Sequence, residues 1–468
     1  MNLNFSVQPT NISSLMLFGL SLSNYGLMYW ANIFLARHLA IDAFDDYSVA
    51  VSMVTLLSTL ATLGLEKYAL RLIALYIERE NWPRLRGFWL FSLRTIVLFS
   101  VLLLGVLGLG LESFLSFQNA DFHIAIVIYA GFLPVIALCL FLTEVITVYG
   151  MQIMALVLYR LFLPAVFLLL IIRLDDFKLE VTAVSAVLCF GAAWCLTLIL
   201  MLITVQAASP RALRQAKPDS KGRLWWLKRS LSLLISSVMM TLLTSAGIII
   251  LEILHPSEAV VGTYAVAMQT AGLISLIGTS TNRYYLPMLV VLLERHDQLA
   301  IKALLGKRMQ LIACFIAVFL GIIGVFGQEI LGMFGSDFSQ GYRALLISAT
   351  GATFSTLFSD SPYYLQFMGR NRLVVSLMSL AALSMIALSF ILGSRYGSTG
   401  VALAYAVPTI LLFSSLKWLA NRHMCKLFGL APNLQIGCLD GEAPALRNRT
   451  LESFDKAQDR LPKPDSQT

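Results

Sequence analysis

The chain has 468 residues, 58% hydrophobic and 13% charged, with a formal net charge of +8. Soluble domains carry about 25% charged residues and need polar side chains to cover their surface, so this composition excludes a soluble globular protein. The basic residues flank apolar runs, which makes them a topology signal rather than a nucleic-acid footprint, and the six cysteines form no CxxC or other metal spacing.

Apolar runs of about 20 residues recur, the length of a membrane-spanning helix. The segment 1–10 lacks the basic start of a cleavable signal peptide, so the first run, Ser14–Ala36, is expected to remain as a span. The second starts at Tyr47, loses its hydrophobicity at Glu66–Lys67 and continues as the amphipathic stretch Tyr68–Ile77. A charged corner with Trp82–Pro83 precedes the third span, Gly87–Gly110. His123–Tyr149 and Met151–Arg173 form a tight hairpin about Gly150, and Glu180–Thr204 is the sixth span.

Gln206–Arg229 then breaks the pattern. Seven of its residues are Lys or Arg and one is acidic, and it ends near the pair Trp225–Trp226. It reads as a cytoplasmic loop between two halves. Six further spans follow: Ser230–Ile253, Gly262–Tyr285, Lys307–Phe326, Gly341–Met368, Leu373–Leu392 and Gly400–Ala420. The polar tail 421–468 is too poor in apolar residues to bury a core, and disorder is expected there.

Twelve spans with both termini inside place 28 of the 34 Lys and Arg in cytoplasmic segments and 5 outside, with Arg160 alone left within a span. That bias supports the assignment. The halves also read as copies. His38 precedes Tyr47-Ser-Val-Ala as His255 precedes Tyr264-Ala-Val-Ala, and Tyr149–Gly150 matches Met368–Gly369. An even number of spans per copy makes these parallel repeats. The expected fold is an all-α polytopic membrane protein of 12 transmembrane helices in two parallel six-helix repeats. Its divisions are an N-terminal unit 1–205, a linker 206–229, a C-terminal unit 230–420 and the tail.

With two six-helix repeats, a basic central loop, and Leu63-Gly64-Leu65 to Arg71 closing the second span, the chain resembles Wzx-type polysaccharide flippases. These belong to the multidrug, oligosaccharidyl-lipid and polysaccharide exporter (MOP) superfamily. The resemblance implies two lobes that alternate access around a central cavity. It implies transport of an undecaprenyl-pyrophosphate-linked oligosaccharide across a bacterial inner membrane, for O-antigen, capsule or exopolysaccharide. It also implies as partners the lipid-linked oligosaccharide, membrane lipids, a polysaccharide polymerase and a chain-length regulator, and no cofactor. The lipid II flippases of that superfamily usually add two C-terminal spans and arginines in the first helix. Its drug antiporters often keep an acid in the first or seventh. Here the first span is uncharged and the seventh has only Glu252, at its end.

An ionisable group deep in a bilayer usually faces an aqueous path or a partner. Arg160, nine residues into its span, is expected either to attract the pyrophosphate or to pair with Glu144 across the hairpin. Lys67, Arg71, Arg94 and Arg283 form an expected basic entrance, or act as ordinary positive-inside anchors. Asp360, beside Pro362, suggests a hinge or a coupling site, with Glu144 the other acid available for coupling. Asn24, Tyr25, Asn32, Thr241, Thr244 and Ser245 offer hydrogen bonds to sugar hydroxyls, or to neighbouring helices. No P-loop occurs, so no built-in ATPase drives the process. A cation-coupled antiporter of the same fold is the alternative. A membrane enzyme would need a long external loop, and none is present.

Overall fold

The computed structural model describes residues 11–115, 121–176, 180–219, 221–255, 260–294 and 298–427, and every regular element among them is helical. The first half comprises α1 (Asn11–His38), α2 (Ile41–Ala61), α3 (Leu65–Glu78), α4 (Trp82–Leu115), α5 (Asp121–Ala130), α6 (Leu133–Val148), α7 (Gln152–Val157), α8 (Leu163–Asp176) and α9 (Ala183–Ala208). A π-helical turn, Leu158–Phe162, joins α7 to α8. The short α10 (Arg211–Gln215) lies in the linker. The second half comprises α11 (Arg223–Leu254), α12 (Val260–Gly272), α13 (Ser275–Glu294), α14 (Gln298–Gly332), α15 (Tyr342–Leu357), α16 (Ser361–Phe367) and α17 (Asn371–Leu427). Beyond Leu427 the tail lies outside the described residues.

Seven of these helices are long and apolar enough to cross a bilayer, or nine if each of two bent pairs counts as one span. The difference from the expected twelve has three sources. Polar residues such as Ser21, Asn24 and Asn32 dilute α1. The span expected over Gly341–Met368 is broken between α15 and α16. Finally, α17 counts once although Gly397, at φ 53° and ψ −132°, divides it into two rods.

The expected hairpin about Gly150 is present, and its counterpart about Gly369 has the same bonding. Gly150 N–H donates to Thr147 O and Met151 N–H to Ile146 O; Gly369 N–H donates to Gln366 O and Arg370 N–H to Leu365 O. Both glycines have positive φ, 82° and 75°, which closes a helix end of this kind without a Cβ penalty. The spans do not bend at matching places. In the first half the break lies at 62–64, in the second at 273–274.

The chain reverses between consecutive spans, though not within the bent ones, so the bundle has a linker end and a far end. The larger core joins the first half to far-end residues of the second, among them Leu251, Tyr264, Phe334 and Phe338. A smaller core holds the rest of the second half, including Leu289, Tyr364, Leu365 and Leu416. The halves therefore share one packed interior at the far end. At the linker end the first turns of α11 reach across instead. Trp226 is buried there, donates its indole N–H to Tyr76 Oη at 3.2 Å and meets Phe88 edge-on. Gly64, with φ 71°, lets the α2–α3 corner approach Ser230 and Leu234, where a Cβ would stand 2.4 Å from Ser230 O.

The linker is docked on the first half. Arg86 Nη1 donates to Arg214 O at 2.7 Å and Ala216 O at 2.6 Å. Asp219 lies 3.7 Å from Arg84 and bonds Pro83 O through its own N–H.

Candidate functional site

Three groups of polar side chains lie inside the bundle. The first surrounds Arg160. The π-helical turn adds a residue to the helical spacing there, and such turns are frequent at functional positions. From it Arg160 Nη1 donates to Ser21 Oγ of α1. Glu144, the alternative partner considered for Arg160, is taken by Lys67 at 3.2 Å. This corrects the pairing of Arg160 with Glu144 and removes Lys67 from the set of unclaimed cations. Arg71 and Arg94 are exposed on α3 and α4. Arg71 shares the surroundings of Tyr68 with Arg229, so two cations flank the seam between α3 and α11. Arg283 falls on α13, but its side chain lies outside the described residues.

The second group closes the far end between the halves. Asn32 Nδ2 donates to Gln269 Oε1 at 2.9 Å and Asn32 Oδ1 accepts from Tyr47 Oη at 3.4 Å. The hydroxyls of Tyr29 and Thr270 are 3.2 Å apart, and Arg37 Nε donates to Met333 O at 2.7 Å. Tyr29 meets Phe334 edge-on, and Phe44 meets Phe338 likewise. The buried Asp45 accepts from Gly262 N–H at 2.7 Å, and these two residues stand 217 positions apart. The same separation divides His38 from His255 and Tyr47 from Tyr264. A Cβ at position 262 would stand 2.2 Å from Asp45 Oδ1. Only glycine permits the contact.

The expected sugar contacts therefore divide. Asn32 bridges helices of the two halves. Thr241 Oγ1 donates to Ser237 O and lies 3.3 Å from Thr59 Oγ1, again across the halves. Thr244 is exposed and donates to Thr241 O, while Ser245 is buried. Asn24 and Tyr25 are half-buried on α1.

The third group joins the expected Asp360 to partners that the sequence did not single out. Arg308, only 2% exposed, reaches from α14 to Asp360 at 3.2 Å, Asn282 Oδ1 at 2.8 Å and Ser359 Oγ at 2.7 Å. Asn282 Nδ2 donates to Ser359 O, and Lys417 approaches Asp360 at 3.9 Å from α17. Asp360 lies where α15 stops and α16 starts, with Pro362 in the first turn of α16, where its missing N–H leaves no bond unmade. The break is thus real, and the carboxylate in it is claimed by two cations. Sequence reasoning took Arg308 as a positive-inside anchor because the ninth span was begun at Lys307. In fact α14 starts at Gln298, nine residues earlier, and the run Ala303-Leu304-Leu305 was the available signal.

The far-end closure and the bent spans place this chain in a class of all-α membrane proteins with known structures. It is similar to a multidrug resistance MATE family transporter of the MOP superfamily in an inward-facing conformation, with TM-score 0.68, 12% identity, and 88% of this chain and 98% of that one covered. An outward-facing structure of a multidrug resistance MATE family transporter of that superfamily gives 0.60 at 12% identity, covering 89% and 96%. The lipid II flippase MurJ in an inward closed conformation gives 0.66 at 14% identity, covering 87% of each. No curated protein matches the chain. The chain belongs to the polysaccharide biosynthesis protein family, whose sequence profile matches residues 10–293.

Proposed function

We propose that the protein is a flippase that moves an undecaprenyl-pyrophosphate-linked oligosaccharide between leaflets of the bacterial inner membrane, by alternating access, for surface polysaccharide assembly. The observation that carries this reading is Arg160. It is a cation near mid-span, about 13 Å into its helix at 1.5 Å per residue, held by a π-helical turn against the hydroxyl of α1 rather than by a carboxylate. A hydroxyl does not neutralise it, so the charge stays available to a pyrophosphate. At an effective dielectric near 20, one such pair at 4 Å is worth ~4 kcal/mol before desolvation. Family membership supports the polysaccharide context.

The packed interior shared by the halves at the far end supports the linker end as the cytoplasmic, open one. The charge bias of the sequence points the same way. Arg71 and Arg229 then flank the route of the head group.

A cation-coupled drug or solute antiporter is the second reading, favoured by the fold shared with MATE transporters. It needs an acid free to exchange a cation. Asp360 is held by Arg308 and Lys417, and Glu144 by Lys67, which counts against it.

The test is accumulation of undecaprenyl-linked oligosaccharide at the cytoplasmic face of cells lacking the protein. Wild type is expected to relieve it, and Arg160→Ala at equal abundance is not. No accumulation in a strain without a redundant transporter overturns the flippase. Loss of export in Asp360→Asn or Glu144→Gln cells, with no lipid-linked intermediate retained, would instead support the antiporter.

A further inference from the structure

On α14, Lys307 and Arg308 are consecutive cations with opposite surroundings. Arg308 points into the second half and is buried. Lys307 is exposed and lines a groove between α13 and α14 with a cavity of about 650 Å³. The other lining residues are Gln310, Leu311, Cys314 and Phe315 of α14 and Ile277 of α13. On α14 they fall at intervals of three and four, so they form one helix face. Lys307 lies nine residues into α14, at the linker-end side of its apolar run. From Lys307 to Phe315 the groove descends eight residues, about 12 Å at 1.5 Å per residue. It therefore has a cation and an amide at the linker end, and only apolar side chains and a thiol below.

We propose that this groove holds the polyprenyl tail of the lipid substrate, with Lys307 set against its phosphates. The inference rests on the flippase reading. A lipid whose sugar head passes between the halves keeps its tail in the bilayer, so the tail must lie beside a seam between them. The first half meets the second along α1 and α13, and α13 is one wall of the groove. Charge complementarity fixes the orientation of the occupant. A lysine at the linker-end side of the apolar run attracts an anionic head group, and the apolar face beyond it receives the chain. The volume lies within the ~300–1,000 Å³ typical of small-molecule sites.

The experiment places the photoreactive residue p-benzoylphenylalanine at Leu311 of the full chain, in nanodiscs of phosphatidylglycerol containing a few mole per cent of undecaprenyl pyrophosphate. Adduct masses separate polyprenyl from phospholipid occupants. A second chain carries the probe at Val325, which is 71% exposed on the same helix and lies outside the groove. Polyprenyl adducts at Leu311 are expected to exceed their mole fraction by about fivefold, the scale of one ~1 kcal/mol head-group contact. At Val325 they should follow the mole fraction, and Lys307→Gln should return Leu311 to that level. Equal ratios at the two positions, or enrichment indifferent to Lys307→Gln, overturn the proposal. The accumulation assay reads the flippase separately. Accumulation with no enrichment at Leu311 removes the groove and leaves the flippase.

Discussion

Asp360 shows how much a neighbour changes the meaning of a residue. A carboxylate beside a proline in a span suggests a coupling site, yet Arg308 and Lys417 both approach it. Burying a charge is costly unless it is paired, and breaking a buried pair by removing one partner typically costs ~3–5 kcal/mol. Asp360→Asn and Arg308→Met should therefore each lower the midpoint of thermal unfolding in detergent strongly. The double variant Arg308→Met/Asp360→Leu should lose less than the sum of the two, because it leaves no orphaned charge. Additive losses would show that the pair is not coupled. This network was half legible in the sequence. Asp360 and Pro362 stand out in any apolar run, but Arg308 was hidden because a cation near the start of a span looks like an anchor. Which side of the helix a residue faces decides between the two, and one unaligned sequence fixes no such face when α14 has nearly continuous apolar composition.

At the scale of elements, the sequence marked where helices turn better than where they bend. Gly150 and Gly369 were readable because a glycine after a run of apolar residues supplies the positive φ of a helix stop. The π-helical turn at Arg160 left no signal, since it adds a residue through hydrogen bonding rather than through composition. The linker is the other element to which the structure adds. Its prolines and charges read as a cytoplasmic loop, and Arg86, Arg84 and Trp226 fasten it to the first half. Limited trypsin digestion should therefore spare Lys221 in the wild type. Arg86→Ala removes the bonds to two carbonyls and should expose that site, seen as two fragments that meet at residue 221. Equal digestion of both proteins would show that docking does not protect the segment.

Across the whole molecule, the packed interior common to both halves at the far end is the feature that transport would have to undo. Asn32 and Gln269 sit in that closure at hydrogen-bond distance. A cleavable bis-methanethiosulfonate cross-link between Asn32→Cys and Gln269→Cys is expected to halt relief of intermediate accumulation, with activity returning on reduction. Unchanged activity in the cross-linked protein would mean that the far end never opens. Asp45 and Gly262 meet in the same closure, at 2.7 Å.

The docking of the linker also bears on how many polypeptides the molecule needs. Trp226 and its aromatic neighbours hold the start of α11 to the first half by packing and one hydrogen bond. A chain divided at Lys221 would keep that attachment. Two separately translated pieces, 1–221 and 222–468, would each carry half of the aromatic joint, and would reassemble side by side in one membrane without a peptide bond between them.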